Sequence, residues 1–155
     1  MTQSLPPKSL VLYADDDPED IELVSEAFGH YSQNIELIAF RNGNEMLNYV
    51  RTLDPLQPAP CLFIIDINMP GINGKETLKR LRKIEEFSEV PAVLFSTSTL
   101  PADAVFAKVY NAGFVTKPLY SDQVHQILDQ IIDHCSDEVK KMIRKSNGNG
   151  SGNGK

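Results

Sequence analysis

The chain has 155 residues, the length of one domain, and at that size about 70% of the surface exposed by the unfolded chain can be buried. Apolar residues make up 41% and charged residues 23%, ordinary globular usage that excludes a wholly disordered chain. The 15 basic and 21 acidic side chains leave a formal charge of −6 with a pI near 5.0, the wrong sign for a module that neutralises nucleic-acid phosphates.

Residues 1–8 are polar, carry two prolines and read as a disordered N-terminus. They lack the charged-then-apolar layout of a signal peptide. No apolar run approaches the ~20 residues that span a bilayer, so the expectation is a cytoplasmic protein without membrane contact. Apolar runs follow at Leu10–Ala14, Ile35–Phe40, Cys61–Ile65, Ala92–Phe95 and Phe114–Val115. The first, third and fourth are nearly continuous, as in strands buried on both faces of a parallel sheet. Between them the apolar residues recur at helical spacing: Ile21, Val24, Ala27 and Phe28; Met46, Val50 and Leu53; Leu78, Leu81 and Ile84; Val105, Val109 and Ala112; then Val124, Ile127, Leu128, Ile131 and Cys135.

Punctuation agrees with that division. Asp17-Pro18 reads as a helix cap followed by proline in the first turn. Gly29 and Gly113 are placed to end the first and fourth helices, and the three prolines between Asp54 and Pro60 mark a long loop. The pattern is β-α repeated five times. Right-handed crossovers then give an α/β doubly wound parallel sheet of flavodoxin-like (βα)5 type, strand order 2-1-3-4-5, over residues 9–135. Residues 136–145 read as a short extra C-terminal helix capped by Ser136, with Val139, Met142 and Ile143 on one side for docking on the domain or on a partner. Residues 146–155 are a flexible tail of Gly, Asn and Ser ending in Lys155. Cys61 and Cys135 are far apart, outside any metal-binding spacing, and read as small core residues.

In open α/β sheets, ligands bind at the carboxyl ends of the strands where the strand order reverses. Here strand one ends in Asp15, Asp16 and Asp17, strand three in Asp66, strand four in Ser96, Thr97 and Ser98, and strand five in Lys117. Six uncharged residues precede Asp66, which places that carboxylate at a strand mouth. Asp15, Asp16 and Asp66 gather like charges that disfavour one another unless compensated. A hard divalent cation does so with oxygen ligands, and the expected cofactor is Mg2+; zinc is disfavoured because no His or Cys joins the set. Lys117 adds a positive charge from the other side. A carboxylate beside a cation, a lysine and a hydroxyl suits phosphoryl transfer, with Asp66 as nucleophile and Ser96 and Lys117 holding phosphoryl oxygens. Asp17 reads as the helix cap alone. His30, His125 and His134 read as surface histidines, and Lys75, Lys79, Arg80, Arg82 and Lys83 of the third helix as a solvated face.

These residues carry a resemblance. From Leu10 to about His134 the chain resembles the receiver domains of two-component response regulators, through Tyr13-Ala14-Asp15-Asp16-Asp17-Pro18, Ile65-Asp66-Ile67-Asn68-Met69-Pro70-Gly71 with Gly74, Phe95-Ser96-Thr97-Ser98, and Gly113-Phe114-Val115-Thr116-Lys117-Pro118. The resemblance implies that Asp66 takes a phosphoryl group from a sensor histidine kinase or a histidine phosphotransfer protein. It implies metal binding by Asp15, Asp16 and Asp66 with the Asn68 backbone carbonyl, and phosphoryl contacts from Ser96 and Lys117. It also implies a cis Lys117–Pro118 bond, and a switch in which Ser96 moves and Phe114 turns inward. The surface of helix four, strand five and helix five would then change toward a downstream protein target or a second copy in a homodimer. Serine at 96 keeps the hydroxyl; phenylalanine at 114 lacks a phenol, so its signal is steric.

The expected protein is a single-domain response regulator that catalyses only its own phosphorylation and dephosphorylation, with no effector following. The alternative is a receiver-like interaction module that is not phosphorylated. A phosphatase with an aspartyl intermediate is disfavoured, because the position two residues beyond Asp66 is Asn68 rather than a second acid.

Overall fold

The computed structural model describes residues 9–31, 35–54, 56, 59–118, 120–141 and 143–144. The expected N-terminal segment and the Gly/Asn/Ser tail lie outside these residues. Five strands, β1 (Ser9–Ala14), β2 (Ile35–Phe40), β3 (Pro60–Asp66), β4 (Ala92–Ser96) and β5 (Gly113–Thr116), alternate with five helices. The helices are α1 (Pro18–Phe28), α2 (Gly43–Arg51), α3 (Gly74–Arg82), α4 (Pro101–Val109) and α5 (Val124–Ile132). All strand pairs are parallel and the order is β2-β1-β3-β4-β5.

Strand alternation splits the core between the two faces of the sheet. Leu10, Leu12, Phe63, Ile65, Ala92 and Leu94 face α2, α3 and α4, where Met46, Leu47, Leu78, Leu81 and Ala107 complete one cluster. Val11, Tyr13, Leu62, Ile64, Val93 and Phe95 face α1 and α5, packing on Val24, Phe28, Leu128 and Ile131. The central strands are covered on both sides, which explains their unbroken apolar runs.

Helix punctuation is partly as expected. The Asp17 carboxylate accepts from the Glu19 and Asp20 N–H groups at 2.9 and 3.5 Å, so Asp17 caps α1. Gly29 does not stop it with a left-handed residue; its φ is −57° and the chain continues as a 3-10 turn over Gly29–Tyr31. At the end of α4 the left-handed residue is Asn111, with φ 56°. Gly113 opens β5 instead, with the His134 ring lying where a Cβ would project, 2.3 Å from it.

Two sequence expectations about helix faces are corrected. The inward side of α4 is Asp103, Phe106, Ala107 and Tyr110, while Val105 and Val109 are 62% and 71% exposed. A buried carboxylate masked the true stripe, since apolarity alone selects the wrong face. On α3 the basic residues do not form one solvated face. Lys79 and Arg80 pair with Glu76 on the surface, but Arg82 turns inward and donates to four backbone carbonyls. These are Val90 at 2.7 Å and Tyr110, Phe87 and Asn111 at 2.9 Å each.

Residues 137–141 and 143–144 are helical. Ser136 accepts from the Val139 N–H at 3.3 Å. Ile143 is fully buried in the α1/α5 cluster with Cys135, and Arg144 pairs with Asp129 and Asp133 at 2.7 and 3.0 Å. This segment therefore docks on its own domain. Both cysteines are free, and burial pushes the Cys61 thiol up to about 11. His30, His125 and His134 are exposed, and the first two meet edge to face at 4.9 Å between ring centres.

Candidate functional site

The parallel sheet delivers its polar strand ends to one rim. Asp66 closes β3, its backbone beside Phe95 of β4 in register, and Ser96 closes β4 beside Thr116 of β5. The Lys117 N–H donates to the Ser96 carbonyl at 2.9 Å, which fixes where the lysine leaves the sheet. On the other side the Asp15 N–H donates to the Phe40 carbonyl at 3.0 Å. Behind Asp66 the first residue of α3 is Gly74, whose N–H bonds the Ile67 carbonyl at 2.7 Å. A Cβ on Gly74 would lie 2.1 Å from the Asp66 carbonyl oxygen, so only glycine lets α3 start against this strand end.

Asp15, Asp16 and Asp66 each offer a carboxylate oxygen, all within 4.8 Å of one another. Asp15 is fully buried, Asp66 is 5% exposed and Asp16 faces solvent. Lys117 Nζ lies 2.9 Å from Asp15, 2.8 Å from Asp20 and 3.4 Å from Asp66. It also sits 5.6 Å from the centre of the Phe95 ring. One ammonium thus serves three carboxylates. Burial opposes its charge, yet the bonds to Asp15 and Asp20 outweigh that and hold its pKa above the ordinary range. Burial and the neighbouring Asp15 charge push Asp66 up to about 7, against the pull of Lys117.

Each expected residue of the rim is accounted for. Asp15, Asp16, Asp66 and Lys117 come together. Ser96 is buried, and its hydroxyl accepts the Ser98 N–H at 3.1 Å. Asn68 is exposed in the loop after β3. Phe114 is half-buried and packs on the cluster beneath α4. The described residues contain no cis peptide bond, so Lys117–Pro118 is trans rather than cis.

Two further residues belong to the site. The Tyr13 hydroxyl donates to Asp15 Oδ2 at 2.6 Å, and burial followed by the Asp15 charge raises its pKa. Period-2 alternation carried one residue past β1 places Asp15 on the same side as Tyr13, and that signal could have found the pair. Asp20 reads as ordinary first-turn acidity on α1; nothing local in the sequence tells that Lys117, 97 positions away, reaches it.

Comparison with known proteins gives the family. Residues 11–129 match the response regulator receiver domain model, and the chain belongs to that family. Relatives of similar length are among the matches. It is 28% identical to "Response regulator Rcp1" of Synechocystis over 105 residues, covering 66% of this chain and 71% of that protein. It is 25% identical to "Protein PilH" of Pseudomonas aeruginosa over 126 residues, 79% of this chain and 96% of that one. Among solved structures, the phosphorylated cyanobacterial phytochrome response regulator RcpA superposes with a TM-score of 0.73 at 25% identity, covering 81% of this chain and 92% of that chain. A Mn2+-bound form of Rcp1 has the same fold, with a TM-score of 0.68 at 23% identity, over 77% of this chain and 91% of that one. The protein is a response regulator receiver domain of two-component signalling. Among the described residues no helix is long and apolar enough to cross a membrane.

Proposed function

We propose that this receiver domain is a phosphoryl-accepting switch. Asp66 is the acceptor, the donor is the phosphohistidine of a sensor histidine kinase or histidine phosphotransfer protein, and a downstream protein reads the result. The observation that carries this reading is the Asp66 carboxylate, nearly buried beside two other carboxylates with one shared lysine. An Asp66 oxygen attacks phosphorus while the P–N bond to the donor imidazole breaks. The bond's electron pair leaves with the ring, which ends neutral after taking up a proton. The Ser96 hydroxyl and the Lys117 ammonium hold phosphoryl oxygens. The chain turns over no separate substrate and acts only on its own phosphorylation state.

Asp15, Asp16 and Asp66 with the Asn68 backbone carbonyl are the residues that would hold Mg2+. The all-oxygen donor set fits a hard cation, and the Mn2+ bound to Rcp1 supports a divalent ion at this rim. When bound, the ion neutralises charge on the phosphoryl oxygens. Leu100, Val105 and Val109 of the α4 region and Tyr120 before α5 are exposed apolar side chains. They support the α4–β5–α5 face as the surface for the downstream partner, with homodimerisation its second use.

The test is labelling of the full chain with a small phosphodonor. With Mg2+ an alkali-labile, hydroxylamine-sensitive adduct is expected, lost on chelation and absent in Asp66→Asn. An unsubstituted chain that takes up no phosphoryl group would instead be the inert interaction module.

A further inference from the structure

A second polar cluster sits just outside the rim, at the start of α4. The Asp103 carboxylate is 4% exposed, although it lies in the first turn of a surface helix. It takes a short hydrogen bond from the Ser98 hydroxyl. Lys75 Nζ, from the first turn of α3, is 2.5 Å from its other oxygen. The Lys75 ammonium also lies 5.3 Å from the centre of the Phe106 ring, which stacks on Tyr110 at 4.7 Å. Bonds from Lys75 and then Ser98 hold the Asp103 carboxyl below the usual carboxylate range, so it is ionised at neutral pH.

The cluster is joined to the rim through Ser98. The Ser98 N–H donates to Ser96 Oγ at 3.1 Å, and the Ser98 hydroxyl accepts the Leu100 N–H at 3.2 Å. The Asp103 N–H then donates to the Leu100 carbonyl at 3.0 Å, closing the first turn of α4, which has no side-chain cap of its own. One chain of bonds therefore runs from Lys75 through Asp103 and Ser98 to the hydroxyl of Ser96.

Packing gives that chain its weight. Asp103 and Ala107 are the two buried residues of α4, whereas α5 buries Val124, Leu128, Ile131 and Ile132. Beside them Phe106 and Tyr110 are only half-buried on the core, so the polar bonds at the start of α4 supply a larger share of its seat than they do for α5.

We propose that Asp103 is a positioning residue: clamped by Lys75 and Ser98, it holds the β4–α4 loop where the Ser98 N–H tethers the Ser96 oxygen, and thereby biases the domain against the phosphoryl-bound arrangement. This rests on the reading of Asp66 as phosphoacceptor. For Ser96 to donate to a phosphoryl oxygen at Asp66, its hydroxyl, which can go on accepting from the Ser98 N–H, must shift toward that carboxylate and either draw the Ser98 backbone with it or let it go. The Ser98–Asp103–Lys75 clamp resists that shift and carries it, when it occurs, to α3 and α4 together. A ligand at Asp66 and the position of α4 are thus two ends of one equilibrium.

The test is a titration of the full chain with beryllium fluoride and Mg2+, a phosphoryl mimic, followed by amide NMR of Ser98 and of α4. Lys75→Met and Ser98→Ala are expected to lower the half-saturating concentration about fivefold to tenfold, the effect of losing one charge-assisted or buried hydrogen bond from the resting arrangement. Ser98→Thr, which keeps the hydroxyl, is expected to restore the parent value, a rescue that loss of fold would not show. Lys75 is partly exposed, so its variant keeps the core intact. An unchanged half-point in both Lys75→Met and Ser98→Ala, with a normal parent response, overturns the clamp and leaves the phosphoacceptor reading standing. A parent chain whose spectrum does not respond, matching Asp66→Asn, overturns that reading and the clamp with it.

Discussion

Two half-buried cations hold opposite ends of this sheet, and they do so by opposite means. At the amino end of β4 and β5, Arg82 spreads one guanidinium over the carbonyls of Phe87, Val90, Tyr110 and Asn111. At the carboxyl end, Lys117 is shared among Asp15, Asp20 and Asp66. The first arrangement is nearly saturated: four of the five guanidinium N–H groups meet neutral acceptors that match their planar fork. The second has an excess of negative charge that a single ammonium does not neutralise. A region built to stay put uses dipoles around a cation, and a region built to receive something leaves its charge unbalanced.

The comparison breaks most directly by removing each cation. Lys117→Met and Arg82→Met are each expected to cost about 3 kcal/mol at pH 7 in metal-free buffer, since both leave buried partners without a donor. They separate by pH. At pH 5 protons at Asp20 and Asp66, whose pKa values burial already raises, take the place of the missing ammonium and most of that loss disappears. The Arg82 loss stays, because carbonyls do not titrate. Urea unfolding at the two pH values reads both, and a Lys117 loss independent of pH would end the contrast.

Asp66 gives the next effect. Its folded-state pKa is about 7 against an ordinary 3.8, so between those values the folded state binds more protons than the unfolded one. Stability from this group is full below about 4 and is lost as pH rises to about 7. Asp66→Asn is therefore expected to raise stability at pH 7 by roughly 2 kcal/mol in metal-free buffer and to change little at pH 4. Thermal melts across that range check it, and a variant less stable than the parent at pH 7 would contradict it. The smallest effect is that of Tyr13→Phe. Losing one donor to Asp15 is expected to cost about 1 kcal/mol, read as a lowered urea midpoint with unchanged slope.

Much of this could be read from the chain itself. Continuous apolar runs reveal β1, β3 and β4, and the polar residues that end them, Asp15, Asp66, Ser96 and Lys117, meet at one rim because parallel strands share a direction. What stayed hidden depends on long-range placement. Asp103 looks like surface acidity until Lys75 and Ser98 close on it, and its burial turned the apolar Val105 and Val109 outward. Arg82 looks like one more charge on a basic helix, but its partners are carbonyls, which every residue has and no pattern marks. Asp20 is ordinary helix-start chemistry whose partner comes from the far end of the chain.

The family match ends at residue 129, yet the fold does not. Ile143 fills the α1/α5 cluster beside Cys135, with Cys61 and Val139 at its edge, and Arg144 ties down the end of α5. A boundary drawn where the family pattern stops would cut through a packed core. It would take Ile143 out of the cluster under α5 and bring the buried Cys135 thiol closer to alkylating reagents and oxidants. A shortened version of this domain keeps that packing only if its chain runs at least through Arg144.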